Sequence, residues 1–404
     1  MGLIGIELEQ AVEIIAGQTN KISEKELISV WDAGGRRLAQ DLTAAFDQPP
    51  FPRSPLDGYA FAAEVVKGAT KTMPVELAVI ERICAGEYSD KKIGPGEAVR
   101  IMTGAPIPAG CNCVIRQEDV TVHGFGILID RELKPFENYC FAGEDYLAGT
   151  QLMGDGDRLS FVEMGILASA GYDEILVYRR PRIALFVTGD ELLEPGEVLK
   201  EGKIYDSNLY MLAGRLKELG AELCCAGRLL DEPESVCTHL LEAAEQADAI
   251  ITTGGVSVGE KDIFHQVLPM LRCDRLFWRV LLKPGTPAMF SAVNGVPMLN
   301  LSGNPFAALA TFELLGRPML AQLTADEKLP AIRQTAVMET AFTKESQTRR
   351  FVRASWCGGK VTIPQTGHHG SGILASMKGC NCLIDIPAGT KEIKKGEKIA
   401  VLLL

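Results

Sequence analysis

Between Pro181 and Leu320 strand-length apolar runs alternate with helix-length amphipathic ones, and this regularity constrains the fold more than any other feature of the chain. The spacing predicts strands at Ile183–Val187, Cys224–Arg228, Ala249–Thr253, Leu276–Leu282 and Val296–Leu301. Helices are predicted over Ser207–Leu219, Pro233–Gln246, Lys261–Leu271 and Pro305–Leu320. A helix between two strands returns the chain to its starting edge, so such strands run parallel, with helices on the faces of the sheet. Residues 180–325 are therefore expected to form a doubly wound parallel α/β sheet.

In open α/β sheets ligands bind outside the carboxyl ends of the strands. Four glycine-bearing turns fall there: Thr188–Glu191, Thr252–Gly259, Lys283–Pro287 and Ser302–Pro305. Gly254, Gly255 and Gly303 let backbone amides approach an oxyanion closely, with Ser257 and Asn304 in the same turns. The helix N-termini behind these turns add a favourable field. Glu191, Asp206, Asp231 and Asp262 stand at strand ends or helix starts, with Arg279 and Lys283 nearby. Carboxylates beside phosphate-cradling turns point to a divalent ion, most naturally Mg²⁺, bridging acid and phosphate oxygens. Asp231, just ahead of Pro233, and Asp262 equally suit N-capping, which needs no ligand.

The flanks have a different texture. Ile6–Gln18 reads as an amphipathic helix. From Val30 to Cys140 short β-branched stretches (Glu76–Ile83, Ala98–Met102, Cys113–Glu118, Gly126–Ile129) alternate with proline and glycine turns, predicting a β-rich module. Ser160–Ala170 is a predicted helix in which Ser160 and Glu163 have capping-box spacing. Beyond Pro330 the pattern is that of a small all-β module.

Apolar residues are 47% and charged residues 23% of the chain, the balance of a globular protein rather than a disordered one. Its 41 basic and 52 acidic residues leave a net charge of −11, which argues against non-specific binding to nucleic acid or anionic membranes. No apolar run approaches the roughly 20 residues of a spanning helix. The start MGLIGIELEQAVEII carries acids and no basic n-region, and Ile6 breaks a myristoylation pattern, so a cytoplasmic location is expected. There the eleven cysteines are expected to be free thiols, most of them buried. The repeated GCNC at Gly110–Cys113 and Gly379–Cys382 is too tightly spaced for a structural zinc site, and His368–His369 sits in a glycine-rich turn.

Two further stretches are dense. Pro49–Phe61 (PPFPRSPLDGYAF) is an extended path with a turn at Asp57-Gly58, readable as a rigid linker. Arg100–Gly110 (RIMTGAPIPAG) is a strand entering a hydroxyl-and-glycine loop, where Thr103 is suited either to an anion or to capping the turn.

Together, SPLDGYAF, RIMTGAPIPAG, AGEDYLAGT, TGDEL, YDSN, TTGGVSVGEKD, LKPGTP, SGNP and GSGIL resemble, in order and spacing, the molybdopterin molybdenumtransferase family of MoeA and gephyrin E-domain type. The resemblance implies a multidomain α/β plus β protein. Its expected parts are an elongated dimerisation domain (1–25 and 143–179), an inserted β-rich domain (26–142), a central MogA-like α/β domain (180–325) and a C-terminal small β-barrel (326–404). The implied activity is insertion of molybdate into adenylylated molybdopterin, with Mg²⁺-dependent release of AMP to give molybdenum cofactor. The implied assembly is a homodimer with active sites shared between protomers. A molybdopterin adenylyltransferase and cofactor-accepting molybdoenzymes are the implied partners.

On the same resemblance, Asp57, Thr103 and Asp145 match positions that the partner protomer presents to the cleft. Glu191, Asp231 and Asp262 match acids associated with Mg²⁺, molybdate and the nucleotide. Arg279 and Lys283 match basic positions for the pterin phosphate or oxyanion, and Arg350 and Ser371 match polar positions of the last domain. Three departures stand out: Asn138–Ala142 lacks the family's arginines, Ser302 replaces a proline, and Thr286 stands where many members have lysine. They keep open a non-catalytic pterin-binding carrier or scaffold, and a tungstate-using variant of the transferase. A molybdopterin adenylyltransferase shares only the α/β part of this pattern.

Overall fold

The computed structural model describes residues 2–256, 263–364 and 370–404. The chain divides into two compact units, Met1–Glu26 with Tyr178–Leu404, and Leu27–Val177.

In the first unit, seven strands form one sheet in the order Leu3–Ile6, Arg275–Val280, Met289–Val293, Val296–Leu301, Ala249–Thr253, Arg182–Thr188, Glu222–Leu229. Six run the same way. Met289–Val293 is antiparallel to both neighbours, so the sheet is mixed rather than wholly parallel as the alternation predicts. The cause is local. Asn294 and Gly295 both have positive φ, the backbone of a two-residue hairpin turn that joins Met289–Val293 directly to Val296–Leu301. Leu3–Ile6, whose last residue the sequence pattern places at the start of a helix, is an edge strand pairing in parallel with Arg275–Val280. Residues 2–26 therefore belong to the same compact unit as the α/β sheet.

Helices cover both faces. Leu8–Gln18, Asn208–Glu218 and the long helical run from Pro305 pack on one side around Ile15, Leu212, Phe277 and Phe312. Pro233–Ala244 and Phe264–Met270 cover the other around Val236, Leu240 and Val267. The long run is Pro305–Thr311, a π-helical turn Phe312–Gly316, then Arg317–Thr324. The π turn holds Glu313, only 2% exposed. Its carboxylate accepts from Arg215 Nε at 2.7 Å and from Arg317 Nη1 at 2.9 Å, while Arg317 Nε donates to Leu329 O at 2.6 Å.

The last part of this unit is a closed five-stranded barrel, Ile332–Met338, Arg349–Cys357, Lys360–Thr362, Cys382–Ile386 and Lys398–Leu403. It closes because Arg349–Cys357 pairs with Lys360–Thr362 on one side and Cys382–Ile386 on the other. Val352, Ala354, Ile384 and Val401 fill it. The short strand Leu282–Lys283 joins the barrel sheet, pairing in parallel with Arg349 and Arg350.

The second unit holds a six-stranded sheet in the order Cys113–Arg116, Gly58–Phe61, Glu97–Ile101, Val75–Ile83, Gly126–Ile129, Thr121–His123. The helix Phe161–Ser169 caps a separate small core around Leu38, Leu159 and Leu167. It starts with the expected capping box: Ser160 Oγ accepts from Val162 N, and Glu163 Oε2 accepts from Ser160 N at 2.7 Å. All eleven cysteines are free, but only Cys111, Cys113, Cys237 and Cys382 are buried, fewer than expected. Among the described residues no helix is long and apolar enough to cross a membrane.

Glu313 generates a stability prediction. Removing one partner of a buried ion cluster leaves uncompensated charge, so Glu313→Ala is expected to cost about 3–5 kcal/mol in urea unfolding. A loss below about 1 kcal/mol, the range of an exposed pair, would contradict the structural role assigned to it.

Candidate functional site

At the carboxyl edge of the seven-stranded sheet a cleft of about 1460 Å³ opens between the strand-end turns and the barrel. All four glycine-bearing turns contribute to it: Thr188, Gly189 and Glu191; Thr253 to Val256; Lys283 to Pro287; and Ser302 to Pro305. The barrel side supplies Lys344, Arg350, Arg353 and the turn Gly370–Gly372.

Backbone shape makes this edge accessible. Gly254 has φ +93°, and a Cβ there would lie 2.3 Å from Thr188 O, so the chain passes its neighbour at a distance only glycine permits. Gly285, at φ +96°, would place a Cβ 2.1 Å from Thr311 Cγ2. Asn208 fastens the turns together: its Nδ2 donates to Gly303 O at 2.8 Å and to Thr253 Oγ1 at 3.3 Å. Because Gly303 O can only accept, the amide orientation is fixed. Asp206, buried at the start of the same helix, accepts from Asn208 N at 2.9 Å, and burial raises its carboxyl above the usual range. Among the described residues, the buried Thr188 Oγ1 and Asn208 Oδ1 have no hydrogen-bond partner.

Acids and bases enter from different elements. Glu191 and Asp231 line the cleft from loops that follow Arg182–Thr188 and Glu222–Leu229, linked where Asp231 N donates to Asp190 Oδ1 at 3.3 Å. Lys283 and Arg350 are register partners on adjacent parallel strands of the barrel sheet. Arg350 Nε also donates to Ser346 Oγ at 3.2 Å. Phe306 N donates to Ser371 O at 2.9 Å, tying the Ser371 turn to the helix that begins at Pro305.

Arg353, which sequence reasoning missed, is 1% exposed yet lines the cleft. Its two terminal nitrogens donate to Ile373 O and Gly370 O, each at 2.9 Å, and its guanidinium lies 4.1 Å from the Phe306 ring centroid. It thus clamps both ends of the turn that carries Ser371. The signal was available: an arginine set in the apolar run Phe351, Val352, Ala354 requires buried partners.

Of the residues expected at this site, Glu191, Asp231, Gly254, Gly255, Lys283, Gly303, Asn304, Arg350 and Ser371 all line the one cleft. Arg279 does not. Its backbone is left-handed, φ +69°, and its guanidinium sits over the Trp278 ring at 5.8 Å. Ser257 and Asp262 fall outside the described residues. Among the described residues no group of three or more histidine, cysteine or acidic side chains forms a metal cluster.

Asp57, Thr103 and Asp145 belong to the second unit. The first two meet directly: Asp57 Oδ1 accepts from Thr103 N at 2.8 Å and from Thr103 Oγ1 at 2.7 Å, which lowers the exposed Asp57 carboxyl below its usual range. Arg53 pairs with Pro106 on one side and Cys140 on the other, so these loops form one short ribbon. Asp145 is exposed, and its amide donates to Gln48 O at 2.9 Å. Tyr139 and Phe141 of the segment that lacks arginines cluster with Phe136, ring centroids 4.9–5.3 Å apart. Thr286 Oγ1 turns inward to Leu282 O at 2.6 Å, and Ser302 Oγ accepts from Asn304 N at 3.3 Å.

Known proteins agree with this architecture along the whole chain. Three family descriptions match in succession: MoeA N-terminal region (domain I and II) over residues 6–171, probable molybdopterin binding domain over 184–322, and MoeA C-terminal region (domain IV) over 335–404. A protein of Bacillus subtilis named molybdopterin molybdenumtransferase is 34% identical over 99% of this chain and 94% of its own length. A protein of the same name from Staphylococcus aureus is also 34% identical, over 91% of this chain and 88% of its own. Among solved structures, a molybdopterin biosynthesis MoeA protein of Pyrococcus horikoshii superposes with a TM-score of 0.82 at 30% identity, covering 99% of both chains. With the mixed α/β sheet, the barrel and the β-rich second unit already in place, these matches establish that the chain belongs to the molybdopterin molybdenumtransferase (MoeA) family of transferases.

Proposed function

We propose that this protein inserts molybdate into adenylylated molybdopterin, releasing AMP and forming molybdenum cofactor. One observation carries the reading: a single cleft at the sheet's carboxyl edge brings the acids Glu191 and Asp231 together with Lys283, Arg350 and Ser371, in a chain of this family.

The residues divide the work. Amides of the Gly254–Gly255 turn and of the turn at Gly303 receive the substrate's phosphates, helped by the helix that starts at Pro305. Lys283 and Arg350, side by side on neighbouring strands, attract and orient the tetrahedral molybdate dianion, with the Ser371 hydroxyl as a further donor. Arg353 holds the Ser371 turn in place. Alignment of the oxyanion with the dithiolene supplies proximity, so neither a protein nucleophile nor a covalent enzyme intermediate is needed.

The donor set suits Mg²⁺. Glu191 and Asp231 are hard oxygen donors on one cleft, and glycine at 189 leaves room for the Glu191 carboxylate, whose Oε2 would lie 2.7 Å from a Cβ there. Mg²⁺ typically takes one or two carboxylates together with phosphate oxygens and water. Glu191 and Asp231 would hold it, joined by Asp262 on the family resemblance. When bound it neutralises phosphate charge and favours departure of AMP.

The active assembly is a homodimer in which the partner presents Asp57, Thr103 and Asp145. The Thr103 bonds that keep Asp57 ionised support that charged role. The substrate comes from an adenylyltransferase, the product goes to cofactor-accepting enzymes, and the setting is the cytoplasm. A carrier or scaffold is the second reading. It is favoured by the inward-turned Thr286 hydroxyl and by the ring cluster standing in place of arginines.

AMP release from adenylylated molybdopterin with Mg²⁺, titrated with molybdate and then tungstate, decides between them. Oxyanion-dependent release is expected, and the lower half-saturation identifies the preferred metal. Tight pterin binding without AMP release under either oxyanion would make the protein a carrier. Glu191→Ala and Asp231→Ala are each expected to cut release roughly a hundredfold. Unchanged rates would return both acids to loop-capping roles. Mixing inactive Asp57→Ala and Glu191→Ala chains in equal amounts should recover about a quarter of wild-type activity, because half the dimers are mixed and each has one intact site. No recovery on confirmed mixing would refute the shared cleft.

A further inference from the structure

The run Tyr205-Asp206-Ser207-Asn208 lines the cleft, yet its first residue has no part in the chemistry described above. Tyr205 is 43% exposed, and its neighbour Ile204, also on the cleft wall, is 57% exposed. Of the other large apolar groups of the wall, Val256, Phe306 and Phe342 are 2%, 3% and 6% exposed, while Leu192 and Leu374 are half-buried. Tyr205 and Ile204 are thus the most open large apolar groups of this polar cleft.

That surface is held rigidly. Tyr205 pairs with Leu193 in a short parallel ladder, and Asp206 N donates to Leu193 O at 2.9 Å. On its other side the chain is fixed by Asp206 and by the Asn208 bonds to Gly303 and Thr253. The Tyr205 hydroxyl is already engaged, donating to Glu197 O at 2.8 Å. With its hydroxyl tied back, what the residue offers the cleft is its ring. A rigid aromatic face beside the proposed phosphate-binding turns suits the flat heterocycle attached to those phosphates, because such rings stack on aromatic side chains.

We propose that Tyr205 is the stacking residue for the flat nitrogen heterocycle of the substrate. The inference rests on the transferase reading, whose substrate carries two such rings, a pterin and an adenine, both able to stack. Ile204 extends the same surface. Tyr205 sets affinity for the ring-bearing substrate and takes no part in handling molybdate.

Calorimetric titration with AMP alone and with non-adenylylated molybdopterin alone, on wild type, Tyr205→Leu and Tyr205→Phe, tests this. Tyr205→Leu is expected to weaken one of the two probes roughly tenfold or more, and the probe affected names the ring that stacks. Tyr205→Phe keeps the ring and is expected to stay within about twofold of wild type. The molybdate half-saturation for AMP release is expected to be unchanged in Tyr205→Leu, whereas a collapsed cleft would shift it. Wild-type affinity for both probes in Tyr205→Leu overturns the proposal. So does an equal loss in Tyr205→Phe, which would place the effect in the bond to Glu197. Should Tyr205→Leu fail to fold, Tyr205→Phe and Tyr205→Trp carry the test: both must retain binding, and loss in both overturns it. A wild-type protein that binds neither probe counts against the transferase reading itself, a result distinct from any of these.

Discussion

A carboxylate buried among guanidinium groups is tolerable only where every charge is met, and Glu313 is such a case. It draws Arg215 from one helix and Arg317 from the next turn of its own into one cluster. Arg317 reaches on to Leu329 O and Leu403 O, the latter at the end of the last barrel strand. The cluster therefore ties the helical layer of the sheet to the barrel, beside the apolar packing of Phe351, Leu383 and Leu402 in the same core. The cleft lies between these same two bodies. Ion clusters of this kind are poor sources of net stability, but they penalise any arrangement that leaves one member unpaired.

The second coupling is covalent. After leaving the large sheet at Val280 the chain adds Leu282–Lys283 to the barrel before returning to the sheet at Met289. Lys283 thus belongs to both bodies by sequence and to the barrel by hydrogen bonding. Its register partner is Arg350, so a strand pairing rather than a loop conformation fixes the spacing of the two bases. Sites built on paired strands hold their geometry better than sites carried on loops alone.

How much of this was legible in the sequence follows from the range of each signal. The hydrophobic alternation from Pro181 onward located the strands and the cleft-lining turns, because core burial and strand-end glycines are local requirements. The Ser160–Glu163 box was readable for the same reason. The antiparallel Met289–Val293 falls outside a pattern of helix-connected strands, although Asn294-Gly295 announces a hairpin. Leu3–Ile6 was missed because its partner, Arg275–Val280, lies far along the chain, and an edge strand of four residues has little pattern of its own. The left-handed backbone of Arg279, whose guanidinium lies over Trp278, leaves no trace in residue type. Arg353 was overlooked in favour of Arg350 for a related reason: only the barrel's closure shows that both reach the cleft.

What remains is how an acidic chain gathers polyanionic ligands. With a net charge of −11 the protein's long-range field repels them, so attraction must be local. The cleft is polarised accordingly. Lys283, Arg350 and Arg353 arrive on strands of the barrel sheet, while Glu191, Asp206 and Asp231 arrive on loops or helix starts of the α/β sheet. On the proposed function, a phosphate accompanied by a divalent cation would find its counterpart on the acidic side, and a bare oxyanion on the basic one. That separation would order the two proposed substrates without a dedicated discriminating residue. On the same proposal, the absence of arginines from Asn138–Ala142 would leave the oxyanion its basic partners, because Lys283 and Arg350 lie on the barrel sheet, outside that segment.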